Sequence, residues 1–82
     1  MKTNAQKMAI AVERWIAEAR KLPERDGQAE LQKRAKWFDT QFTALERAAI
    51  EDRAIPEHLT GLTAVDMIEA HGKLLTAVRS LG

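Results

Sequence analysis

Only two turn-forming stretches interrupt the 82 residues, and they divide the chain into three long segments. These stretches are LPERDG at residues 22–27 and AIPEHLTGLT at residues 54–63. Within each segment apolar residues recur at spacings of three and four, the period of an amphipathic helix, and none shows the strict alternation of a strand. A chain of this length forms one small domain. We therefore predict a single all-α domain over residues 1–82, built as an antiparallel three-helix bundle.

The first and third helices carry start signals. Thr3 and Gln6 have the S/T-x-x-E/Q spacing of a capping box. Thr63 and Asp66 form a weaker start signal of the same kind. Pro23 disfavours a helical conformation at the residue before it, so the first helix is expected to end near it.

The second helix is expected to start after Asp26 or Gly27, either of which suits an N-cap. In the following connection Pro56 favours a helical turn and Gly61 breaks it. We place the three helices at about residues 4–22, 28–53 and 64–81. The alternative architecture is an extended second helix that dimerises along its length.

Each predicted helix presents one apolar stripe to the core. The stripes comprise Met8, Ala11, Val12, Trp15, Ile16, Ala19 and Leu22; then Leu31, Ala35, Phe38, Phe42, Leu45 and Ala49; then Ala64, Met67, Ile68, Leu74, Leu75, Val78 and Leu81. His71 lies near the middle of the third stripe, where we expect a core-edge histidine bonded to a backbone carbonyl or a carboxylate. Gly72 is mildly unfavourable in a helix, and we expect it to permit a close approach of another helix.

Composition excludes several classes of function. The net charge is +1, which argues against both an acidic DNA mimic and a strongly basic nucleic-acid binder. The chain contains no cysteine, so disulfides, thiolate chemistry and cysteine zinc sites are excluded. No apolar run has the length of a signal-peptide core or of a membrane span. We therefore expect a cytoplasmic protein.

Residues with catalytic or metal-binding chemistry are sparse. Ser80 is the only serine, tyrosine is absent, and there is no glycine-rich phosphate loop. His58 and His71 lie across a predicted turn and lack the spacing of helical metal ligands. The expectation is a protein that is not an enzyme and that carries no metal and no cofactor.

The stretch LQKRAKWFDTQF, at residues 31–42, combines basic and aromatic residues. On a helix Phe38 faces the core, whereas Trp37 lies to one side of the stripe. Two interpretations remain open: Trp37 widens the core face, or it anchors a partner protein, since Trp and Arg are enriched at interface hot spots. Acidic residues interleave with the basic ones, which weakens a nucleic-acid interpretation. The predicted partner-binding residues are Trp37, Arg34, Lys33, Gln41 and Ala44, with Ile10 as a second off-stripe apolar residue.

The small size, the all-helical pattern and the absence of a recognisable catalytic site resemble the small accessory proteins of phages and prophages. The resemblance concerns these general features over the whole chain and transfers no functional residue. It implies a protein that binds and inhibits a host enzyme or defence complex by occluding or bridging a protein surface. The alternatives are a nucleic-acid-associated regulator that uses Lys33, Arg34, Lys36 and Arg47, and a self-assembling structural component, and a homo-oligomer is compatible with each.

Overall fold

The computed structural model describes residues 1–81, which contain three α-helices, one short 3₁₀ turn and no β-strand. The helices are α1 (Asn4–Arg20), α2 (Glu24–Ile50) and α3 (Ala64–Ser80), and the 3₁₀ turn is Glu57–Leu59. Each helix packs against both others. The Gln28 side chain at the start of α2 donates to the carbonyl of Val78 at the end of α3 (3.3 Å). The predicted antiparallel three-helix bundle is confirmed.

Both predicted capping boxes are present. The Gln6 amide donates to Thr3 Oγ1 (3.1 Å), and the Thr3 amide donates to Gln6 Oε1 (2.9 Å). The Asp66 amide donates to Thr63 Oγ1 (3.1 Å), and the Thr63 amide donates to Asp66 Oδ2 (3.0 Å). These reciprocal bonds satisfy amide donors that have no partner inside the helix.

The predicted helix ends differ from the observed ones. α1 stops at Arg20 rather than at residue 22, and α3 stops at Ser80 rather than at residue 81. α2 stops at Ile50 rather than at residue 53 because Asp52 adopts a left-handed conformation (φ 53°). The Arg53 amide then donates back to the Ala48 carbonyl (2.9 Å), as in a Schellman-type ending.

The predicted start of α2 was wrong. The helix begins at Glu24, with Pro23 rather than Asp26 or Gly27 in the N-cap position. Proline suits this boundary because it has no amide hydrogen that would be left without a partner. Glu24 and Asp26 then place negative charge in the first turn, where the helix dipole favours it.

The core lies along the axis shared by the three helices and is covered at one end by Leu59 of the 3₁₀ turn. It consists of Val12, Ala19, Leu31, Phe38, Leu59, Met67, Ala70, Leu74 and Ala77. The stripe predicted for α3 was too wide, because Ile68 and Leu75 point to solvent and Ala70 and Ala77 are buried instead. In α2, Ala48 is buried rather than Ala49.

Two glycines inside helices have opposite surroundings. A Cβ atom added to Gly27 would lie 2.5 Å from the carbonyl oxygen of Ala19, so glycine allows α2 to pass close to the end of α1. A Cβ atom added to Gly72 would meet nothing within 4 Å. The close helix approach expected at Gly72 therefore occurs at Gly27.

This contrast predicts opposite effects of the same substitution. Gly27→Ala should lower the free energy of unfolding by about 1–3 kcal/mol, because backbone must move to accept the methyl group. Gly72→Ala should raise it by about 0.5–1 kcal/mol, because alanine restricts the unfolded chain and favours a helix. Urea denaturation of dilute protein measures both changes, and effects of the same sign would contradict this account of the packing.

Candidate functional site

A groove of about 460 Å³ runs between α1 and α2 on the side that contains no residue of α3. We call it the tryptophan groove, because both tryptophans of the chain line it. Its lining residues are Asn4, Lys7, Met8, Ala11, Trp15, Lys33, Arg34, Trp37 and His58. The floor is apolar and the rim is polar, as in the centre and margin of protein interfaces.

The rotation of α2 places Trp37 in this groove. Phe38 is fully buried, and successive helical residues are turned by about 100°, so Trp37 falls at the edge of the core. Its ring packs edge-on against Trp15 of α1, with ring centroids 6.4 Å apart. With 36% of its surface exposed, Trp37 covers the helix seam and also remains open to solvent. Trp37 therefore widens the core face as one interpretation expected, and its role as a partner anchor stays a prediction.

The charged residues of the groove are all cations. The Arg34 guanidinium lies 4.8 Å from the ring centroid of Trp15, within the range of a cation–π interaction. Lys7 and Lys33 complete the charged lining, and no carboxylate among residues 1–81 contributes to it. The rim therefore favours a negatively charged ligand or partner.

Hydrogen bonds from both helices hold the 3₁₀ turn at one end of the groove. His58 Nε2 lies 2.7 Å from Gln41 Oε1, and because an amide oxygen only accepts, the ring donates. Asn4 Nδ2 donates to the carbonyls of Glu57 (3.0 Å) and Thr60 (2.8 Å). The His58 ring lies 6.1 Å from that of Trp37. Side chains from α1 and α2 thus fix the end of the groove.

The structure brings together three of the six predicted partner-binding residues: Trp37, Arg34 and Lys33. Gln41 is buried, with only 8% of its surface exposed, and supports the groove through His58. Ala44, predicted to bind a partner beside Trp37, instead lines a separate depression together with Ala48. Ile10 is exposed on α1 but does not line the groove.

Sequence reasoning missed the contribution of α1. Trp15 and Met8 belong to the predicted core stripe, and nothing in the local pattern shows that they occupy its margin. Asn4 lies four positions before Met8, and Lys7 lies four positions before Ala11, so these residues share one side of α1. That spacing was the only signal in the sequence, and it does not reveal which helix packs against this side of α1.

The second histidine belongs to the core margin. His71 is half-buried and stacks on Phe38, with ring centroids 5.6 Å apart and an interplanar angle of 27°. Phe42 contacts it edge-on at 6.2 Å. Aromatic packing, rather than the expected carbonyl or carboxylate contact, explains why an imidazole is accommodated on this face.

In the described part of the chain, no three His, Asp or Glu side chains cluster in a way that would hold a metal ion. None of the helices within residues 1–81 combines the length and apolar character needed to cross a membrane. No protein-family model matches the sequence, and no curated protein or solved structure is significantly similar to it.

The double hydrogen bond of Asn4 predicts a local effect of its removal. Asn4→Ala should speed hydrogen exchange at the amides of Leu59 and Thr60, because the 3₁₀ turn loses two attachments to α1, each worth about 1 kcal/mol. Buried amides of α2 and α3 should change little. The control is Lys7→Ala, which alters the same groove without touching the turn; an equal effect of both variants would contradict the role assigned to Asn4.

Proposed function

We propose that the protein is a non-enzymatic interaction module whose tryptophan groove binds an apolar side chain of a partner protein. The observation that carries the proposal is the pairing of Trp15 and Trp37 from two helices beside an open apolar groove. Tryptophan and arginine are among the residues enriched at interface hot spots, and Arg34 lies over the ring of Trp15.

The charge of the rim favours an acidic partner segment. Lys7, Lys33 and Arg34 surround the apolar floor, so carboxylates beside an inserted apolar side chain would meet cations. Such complementarity raises the association rate and selects against basic competitors. The partner class proposed here is an amphipathic segment with an aliphatic or aromatic anchor flanked by Asp or Glu.

A second depression predicts the orientation of the bound partner segment. Beyond Trp15 and Arg34, a depression of about 280 Å³ is lined by Leu22 and by the carboxylate-bearing Glu18 and Glu30. The sign of the charge therefore changes along the α1–α2 seam. A bound segment would place its acidic residues toward the 3₁₀ turn and any basic residue toward the end of α1.

The biological consequence we propose is occlusion or bridging of a partner surface in the cytoplasm. The resemblance in size and pattern to phage accessory proteins supports a host enzyme or defence complex as the partner. The alternative of a nucleic-acid-associated regulator has weaker support. Arg47 lines a depression away from the groove, so the four basic residues considered for phosphate binding do not share this site.

Intrinsic fluorescence tests the proposal directly, because both tryptophans report from the groove. The probe is a short peptide without Trp or Tyr that carries one leucine among glutamates, and its match replaces each glutamate with lysine. We expect the acidic peptide to shift the emission and the lysine peptide to have no effect. In Trp37→Ala, where Trp15 still reports, affinity for the acidic peptide should fall about 30-fold or more.

The controls distinguish binding at the groove from nonspecific binding elsewhere on the surface. Ile10→Ala removes an exposed apolar residue outside the groove and should leave affinity unchanged, whereas Arg34→Glu should weaken the acidic peptide. If Trp37→Ala binds the acidic peptide as tightly as the wild type, the groove is not the binding site. Preference for a single-stranded oligonucleotide, with affinity falling steeply as salt rises, would favour the nucleic-acid alternative.

A further inference from the structure

α3 presents an apolar face that nothing in the bundle covers. Val65, Ile68 and Leu75 expose 61%, 60% and 41% of their surfaces. At about 100° per residue, these three and Gly72 fall within an arc of roughly 80°. The exposed Arg79 lies on the same arc near the end of the helix, beyond the apolar stretch from Val65 to Leu75. The opposite side of the helix carries the buried residues Met67, Ala70, Leu74 and Ala77. We call the exposed arc the outer α3 face.

This face differs from ordinary scattered exposure. Single exposed apolar residues need no explanation, but an aligned row on one helix is typical of an interaction surface. Gly72 lies in the middle of the row, with open space where its side chain would be. A second helix could therefore approach the backbone closely at that point, as small residues allow in other helix pairs.

We propose that the outer α3 face binds a second copy of the chain, with the two α3 helices antiparallel about a two-fold axis near Gly72. Ile68 and Leu75 lie about one turn to either side of Gly72. A two-fold axis there places Ile68 of each protomer opposite Leu75 of the other. The surface is thus complementary to itself, which an isologous dimer requires.

Charge selects the antiparallel arrangement. Glu69 and Lys73 both lie on the flank of the outer α3 face that borders α1, beside Ala9. In an antiparallel pair, identical flanks face each other, so each Glu69 would oppose Lys73 of the other protomer. In a parallel pair, this flank would instead face the other flank of the partner helix, which carries Ala64 and His71. Among residues 1–81 the only salt bridge joins Arg53 to Glu51, so Glu69 and Lys73 form no ion pair within that part of the chain.

The expected dimer is weak and independent of the proposed partner groove. One helix face buries less than the roughly 800 Å² per partner of a standard interface, so association should depend on concentration in the micromolar range or above. The outer α3 face shares no residue with the tryptophan groove. Dimerisation would therefore leave two grooves open, and failure of either proposal would leave the other standing.

Sedimentation equilibrium of the full chain, from about 1 µM to about 1 mM, tests the proposal. We expect a monomer–dimer equilibrium that Ile68→Glu weakens about 30-fold or more without loss of helicity. The matched control is Ile10→Glu, which places the same charge on an exposed isoleucine of α1 and should leave the dimer unchanged. Because Ile68 is exposed in the monomer, its substitution should not unfold the bundle.

A charge exchange tests the orientation. Glu69→Lys and Lys73→Glu should each weaken the dimer about threefold to tenfold, because like charges would then face each other, and the double variant should return to within about twofold of wild type. A wild-type chain that stays monomeric up to about 1 mM would overturn the proposal. So would a dimer indifferent to Ile68→Glu, or a double variant no better than either single one.

Discussion

Burial of Phe38 is the contact on which the arrangement of this protein depends. Phe38 is fully enclosed, stacks on His71 of α3 and lies 5.1 Å from the ring of its neighbour Trp37. Because a helix cannot turn about its axis without moving every side chain on it, this one residue sets the rotation of α2. Any rotation that buried Trp37 further would bring Phe38 toward solvent, at a cost of about 1.5–3 kcal/mol for a large apolar side chain. The half-exposed position of Trp37 thus follows from the core.

The tryptophan groove is also held in place by contacts within the chain. Arg34 covers the Trp15 ring, His58 is tied to the buried Gln41, and Asn4 holds the 3₁₀ turn from the other side. Ordering a flexible side chain at an interface costs about 0.5–1.5 kcal/mol, so side chains that are already ordered reduce the free-energy cost of association. Gly27 acts at the other end of the seam by letting α2 start close to Ala19.

Local signals in the sequence predicted local structure well. The capping boxes at Thr3 and Thr63 and the helical period of three segments were sufficient for the all-α bundle, since both depend on residues within one or two turns. Contacts between helices were not predictable in this way. Periodicity alone could not tell Ala48 from Ala49, and it could not reveal that Trp15 of α1 lies beside Trp37 of α2. Each of these depends on the rotation of one helix relative to another, which the pattern of a single segment does not determine.

The same limit explains the excess apolar surface of α3. Its apolar residues extend so far around the helix that two neighbours cannot cover them all, and the large core positions Met67 and Leu74 direct Ile68 outward. In a bundle of this size the core is thin, and a third neighbour for α3 would bury apolar surface that the single chain leaves in water. The groove between α1 and α2 has a different origin, because two large rings, one from each helix, pack edge-on there and line it. One surface thus reflects surplus apolar residues on a helix, and the other reflects the bulk of side chains between helices. Changes at one surface should therefore leave the other intact.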